Sequence, residues 1–165
     1  MEVADFIHLD GDLLTLIHAK GAQSADPARN VSVSSYEVVA SQATKCLRWL
    51  DEVFLSQNLA AGIGRKVGHA VWHDREPSTR EDFLREIQDL GTRYRRRVVI
   101  LQPQITDRNF AHGATANGPE GIRHRQLMTL LNGTRAACQA VGAELVVVGQ
   151  RVAAGNAPRT QRAKR

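Results

Sequence analysis

Cysteine is scarce: Cys46 and Cys138 are the only two in 165 residues, and they stand 92 positions apart. That excludes a disulfide scaffold and a cysteine-based zinc site, and it points to a reduced, cytoplasmic setting. His69, His73, His112 and His124 show no His-x3-His or His/Cys spacing of the kind zinc uses. Long apolar runs are missing as well, so no segment approaches the ~20 residues of a membrane span. The opening Met1-Glu2-Val3-Ala4-Asp5 has no signal-peptide pattern. No Gly-x4-Gly-Lys-(Ser/Thr) loop occurs, which excludes a phosphate-cradling motor built on that motif. Ser34 and Ser35 lack the context of a nucleophile elbow, and neither cysteine has a base beside it, so triad hydrolases drop out. Aromatics make up 5% of the chain, and Trp49 and Trp72 suit a core or an interface better than a base-stacking platform.

What is present is enough apolar material, 42% of residues, for one domain with its own core. The net charge of +5 is unevenly placed. Residues 151–165 hold Arg151, Arg159, Arg162, Lys164 and Arg165 and no acid, leaving residues 1–150 with 17 basic and 17 acidic side chains. Residues 151–165 read as a disordered basic tail, either phosphate-attracting or merely solubilising. Residues 1–150 read as a single α/β domain.

Hydrophobic periodicity organises that domain. Val3 to Leu9 and Leu13 to Lys20 alternate as strands around Asp10-Gly11-Asp12, a hairpin signal. Ser34 and Glu37 form a capping-box pattern opening a helix to about Leu55, with Val39, Ala43, Cys46, Leu47, Leu50 and Phe54 on one stripe. Val67 to His73 reads as a third strand, and Ser78-Thr79-Arg80-Glu81 opens a second helix. Arg97-Val98-Val99-Ile100-Leu101 has the continuous apolar character of a strand buried on both faces. Gln102 to Pro119 reads as an irregular loop, Gly121 to Val141 as a helix broken near Gly133, and Glu144 to Val148 as a last buried strand. The expectation is an α/β fold: a mixed sheet that starts with an antiparallel hairpin and carries helices on its faces.

Chemistry concentrates on the hairpin. Strand alternation projects His18 and Lys20 to one side. If Leu9 pairs with Asp12, Asp5 lies diagonal to His18; if Leu9 pairs with Leu14, Asp5 lies opposite His18. Either register puts Asp5, His18 and Lys20 on one face, and a three-residue loop would break that parity. A carboxylate suits a hard divalent cation, and a lysine nearby can orient water or offset the charge of a phosphoryl transition state. The plainer reading is a polar strand end. Arg93, Arg95, Arg96 and Arg97 are the densest basic run in the body, read either as a solvated helix end or as a phosphate-contacting patch. Glu37 reads as a cap, and Tyr36 as an aromatic packed at a helix start.

The blocks Glu2-Val3-Ala4-Asp5-Phe6-Ile7, Leu16-Ile17-His18-Ala19-Lys20-Gly21 and Tyr36-Glu37-Val38-Val39, with Gln42 and Lys45, resemble the C-terminal region of bacterial helicase-like proteins of restriction and defence systems. Val98 to Gln104 and Leu145 to Gly149 resemble two late strands of that region. The arrangement is also similar to the PD-(D/E)XK nuclease superfamily. That resemblance implies a restriction-endonuclease-like, N-terminally truncated fold and metal-dependent hydrolysis of DNA phosphodiesters. It further implies Mg²⁺ or Mn²⁺ held by Asp5 and His18 with Glu2, Lys20 as the catalytic lysine, and Gln42 orienting the lysine or DNA. Partners implied are DNA and a helicase-like polypeptide or a sister chain, with no membrane. His18 stands where the superfamily has an acid, and imidazole favours Mn²⁺ over Mg²⁺. The contrasting expectation is a non-catalytic accessory domain that keeps the fold for binding nucleic acid or protein.

Overall fold

The computed structural model describes residues 3–21, 31–61 and 71–151. The expected hairpin is β1 (Phe6–Asp10) and β2 (Leu13–Ala19), joined at Gly11-Asp12. Gly11 sits at φ 55°, the left-handed conformation the tight turn requires of it. Leu9 pairs with Leu14 and Phe6 with Ile17, which selects the second of the two registers.

Helix α1 (Val33–Cys46) follows, and its cap is Ser32, whose hydroxyl accepts the Ser35 N–H. The expected box at Ser34 and Glu37 is not formed; Ser34 lies inside the helix and Glu37 is exposed. The long helix expected to reach Leu55 divides. A 3-10 turn spans Leu47–Leu50, the chain extends at Asp51, and the Asp51 carboxylate caps α2 (Glu52–Ala60). An aspartate offered to free N–H groups starts a new helix more readily than it continues an old one.

The strand expected over Val67 to His73 lies mostly outside the described residues. Trp72–His73 (β3) and Glu76–Pro77 (β4) form a small separate hairpin. Helix α3 (Arg80–Gln88) is capped by Thr79, which accepts the Asp82 N–H. Strand β5 (Arg95–Thr106) runs well past its expected end, and the supposed loop is α4 (Asp107–Thr115). Thr106 caps α4 through the Asn109 N–H, a signal the Gly- and Asn-rich composition concealed. Helix α5 (Pro119–Ala140) passes Gly133 unbroken, because packing along the helix outweighs one glycine's propensity cost of about 1 kcal/mol. Strand β6 (Ala143–Gln150) closes the order.

The main sheet runs β1-β2-β5-β6, with β1 antiparallel to β2 and with β2, β5 and β6 parallel. Both parallel crossovers advance in the same direction across the sheet. The right-handed rule therefore sends both sets of connecting helices to one face. The core bears this out: its sheet residues include Leu14, Leu16, Val98, Ile100, Ala143 and Leu145, all of one parity, packed with Tyr36, Val39, Ala43, Leu127 and Cys138. On the opposite face Leu13 and Thr15 are buried and Ile17, Val99 and Val146 half-buried, while Phe6, Leu101 and Val148 are exposed.

This corrects two expectations. Among the described residues the core lies on one face of the sheet, where helices on its faces were expected, and Val98-Val99-Ile100-Leu101 alternates instead of being buried throughout. Val98 and Ile100 are fully buried, whereas Leu101 is 36% exposed. No described helix is long and apolar enough to cross a membrane. Residues 152–165, the expected tail, lie outside the described residues.

The one-sided core makes a quantitative difference between neighbouring strands. Leu16→Ala should destabilise the fold by about 2–5 kcal/mol and Leu101→Ala by less than about 1 kcal/mol. Urea unfolding followed by far-UV circular dichroism measures both.

Candidate functional site

The carboxyl ends of β2, β5 and β6 share one edge of the sheet, the edge at which open α/β folds bind ligands. His18 lies near the end of β2 on the core face and is buried, 3% exposed. Lys20 follows just beyond the strand, half-buried, with its N–H on the Leu101 carbonyl at 3.0 Å. Its ammonium makes no ion pair among the described residues.

Asp5 reaches this segment in an unexpected way. The regular ladder stops at Phe6↔Ile17, and Asp5 sits in a bend just before β1. Its N–H bonds the Ile17 carbonyl at 3.1 Å, and its Oδ2 accepts the Ala19 N–H at 2.7 Å. The carboxylate thus takes the place of a ladder acceptor and fastens the start of β1 to the residue between His18 and Lys20. Asp5 itself is exposed. Asp5 is therefore tied through backbone to the segment that carries His18 and Lys20.

Other site residues fare differently. Gln42 is exposed on α1, away from the buried stripe of Tyr36, Val39, Ala40 and Ala43. Glu2 lies outside the described residues. Among the described residues no three His, Cys, Asp or Glu side chains form a metal-holding group. Of the expected donors, the Asp5 carboxylate is exposed and the His18 imidazole is buried on the core face. A pair of protein donors fits a cation that keeps most of its shell as water and phosphate oxygens.

The arginine run does not form one patch. Arg93 is exposed in the turn before β5. Along β5, alternation sends Arg95 and Arg97 to the open face and Arg96 to the core face. Arg95 pairs with Asp12 at 2.7 Å, and that hydrogen bond holds the Asp12 carboxyl below its ordinary range. Arg97 pairs with Glu144 at 2.9 Å. Arg96 donates to the Leu50 carbonyl at 3.1 Å and stacks over the Tyr94 ring at 4.4 Å. These three side chains serve the fold. They also stand at the amino end of β5, about 20 Å of strand from Lys20.

Sequence reasoning missed a cavity of about 480 Å³ at the other half of the same edge. It lies between Tyr36 of α1, Leu131, Asn132 and Arg135 of α5, and the ends of β5 and β6. Its lining includes Ile105, Val147 and Phe110. At Gly149 an added Cβ would stand 2.7 Å from the Ile105 side chain, so only glycine lets β5 and β6 approach this closely beside the cavity. Tyr36 is 1% exposed, and its hydroxyl has no partner among the described residues. Burial pushes that phenol far above its ordinary range, which keeps it protonated. No sequence signal foretold this, since Tyr36 reads only as an aromatic packed at a helix start.

Comparison with protein-family models, with curated proteins and with solved structures gives no match.

The two buried tyrosines predict opposite outcomes for one substitution. The Tyr94 hydroxyl donates to the Leu50 carbonyl and accepts the Glu52 N–H at 3.1 Å, so Tyr94→Phe should cost about 1–2 kcal/mol. Tyr36→Phe removes a buried polar atom without a partner and should leave stability unchanged or raised by about 1 kcal/mol. Paired denaturation curves decide it.

Proposed function

We propose that the chain is a nuclease-like domain that hydrolyses DNA phosphodiesters with a divalent metal ion at the end of the hairpin. The observation that supports this reading is the hydrogen bond from the Ala19 N–H to the Asp5 carboxylate, which fastens Asp5 to the residue between His18 and Lys20. Mg²⁺ or Mn²⁺ would be held by Asp5 and His18 and completed by water and phosphate oxygens; bound there, it supplies a Lewis acid and an activated water. Asp5 fixes the approach of β1 and contributes negative charge. Lys20, half-buried and without an ion pair among the described residues, offsets the charge that develops on the phosphoryl oxygens. His18 holds or accepts a proton at its imidazole. DNA is the partner, and a helicase-like polypeptide is the proposed context.

A second reading, a non-catalytic accessory domain that binds nucleic acid or protein, is favoured by one observation. His18 is almost fully buried and Asp5 already spends one oxygen on the backbone, leaving few donors facing solvent.

Cleavage of supercoiled and linear DNA by the full chain, with Mg²⁺ and with Mn²⁺, tests the proposal. Lys20→Ala should lower the rate by about 10²–10³-fold with the melting temperature unchanged. Asp5→Asn keeps an acceptor for the Ala19 N–H and should also abolish cleavage. Cleavage that survives both substitutions overturns the site. Metal-independent DNA binding without any cleavage supports the accessory reading.

A further inference from the structure

The two edges of the main sheet are guarded very differently. β1 is five residues long, carries His8 and Asp10, and is pinned at its start through Asp5. β6 is eight residues long, and its only charge is Glu144. It contains no proline, lysine or arginine, the residues that keep an edge from accepting another strand. Among the described residues no strand lies beyond β6, and no backbone hydrogen bond outside its ladder with β5 involves residues 143–149. A row of N–H and C=O groups therefore points outward along ~26 Å of strand. Val148 at this edge is 39% exposed. Residues 152–165 follow directly, but Val152 is their one large aliphatic side chain, a composition that does not suit a further strand.

We propose that β6 pairs antiparallel with β6 of a second copy of this chain, joining two four-stranded sheets into one across a twofold axis. The occupant follows from the strand's own sequence. With the axis at Val147, Val146 stands opposite Val148 of the second copy, and Val147 opposite its own mate. Leu145 falls opposite Gly149, which has no side chain to contest the space, and Glu144 falls opposite Gln150. Opposed residues share a face, so the Val146–Val148 contacts lie on the open face and the Leu145–Gly149 contacts on the core face. Moving the axis to Val146 sets Glu144 against Val148, and moving it to Val148 sets Leu145 against Arg151. Only the Val147 register keeps apolar on apolar and polar on polar. The strand is thus complementary to itself, as an isologous interface demands. The same operation on β1 about His8 sets Phe6 against Asp10, so the other edge offers no such match. In the pair, the open-face row Phe6, Ile17, Val99 and Val146 continues into Val148 of the second copy. The pairing needs neither metal nor DNA.

Sedimentation equilibrium of the full chain tests this. A dimer should form with Kd on the order of 1–100 µM. Amide exchange followed by NMR should slow in residues 143–149 as concentration rises, while the amides of β1 stay unchanged. Val148→Lys, which sets an ammonium opposite Val146, should weaken dimerisation about tenfold or more, with folding checked by circular dichroism. A chain with Val146→Lys and Val148→Lys, and one with Val146→Glu and Val148→Glu, should each be monomeric. Mixed, the two should form a heterodimer, because every lysine then faces a glutamate. Phe6→Ser, on the open face at the far edge, should leave the dimer intact, as should Lys20→Ala. A dimer that Phe6→Ser disperses, with exchange in residues 143–149 indifferent to concentration, is a face-to-face assembly and overturns the proposal. A chain still monomeric at about 500 µM also overturns it, and leaves the β6 edge to a strand of another protein.

Discussion

The structure depends on the packing of the parallel strands β2, β5 and β6 under α1 and α5. Leu16 lies beside Val98 and Val98 beside Leu145, forming a continuous apolar row across the sheet. Val39, Ala40 and Ala43 of α1 and Leu127 and Cys138 of α5 complete the same core. Fully burying each such Leu or Val contributes about 1.5–3 kcal/mol, more than an exposed ion pair typically supplies. The Asp12–Arg95 and Arg97–Glu144 pairs therefore trim the sheet rather than hold it. The hairpin turn, the caps and the crossovers all serve to bring these rows together.

Strand order has a direct structural consequence. Because both crossovers advance the same way, the core falls on one face, and the carboxyl ends of three strands share one edge. Along that edge two chemically different places arise. At β2 the Asp5 carboxylate is fixed on the N–H of Ala19, the residue between His18 and Lys20. At β5 and β6 the close approach at Gly149 and the long helix α5 enclose a mostly apolar cavity. The first place offers charge and exchangeable protons, and the second offers volume and a buried donor.

Much of this was legible residue by residue. The hairpin followed from Asp-Gly between alternating apolar residues, and the central runs of β5 and β6 from Val98 to Leu101 and Leu145 to Val148. Two misplaced element boundaries share a cause, which is that capping competes locally with periodicity. Asp51 divided the expected long helix, and Thr106 started α4 where composition suggested a loop. The arginine run looked like one patch because sequence adjacency hides alternation; in the strand its members point to opposite faces and find separate partners.

The sequence by itself determined the local elements with strong period or turn chemistry, and the parity that puts His18 and Lys20 on one side of β2. It also determined that the net positive charge belongs to residues 151–165. Only the tertiary structure decided the register beyond the turn, the single covered face, the bend that aims Asp5 at the Ala19 N–H, and the cavity around Tyr36. The physical reason is range: turns, caps and alternation act between residues a few positions apart. Register, face coverage and enclosure depend on segments far apart in the chain, such as Leu16 with Val98, Val98 with Leu145 and Tyr36 with Leu131, whose pairing no local signal encodes.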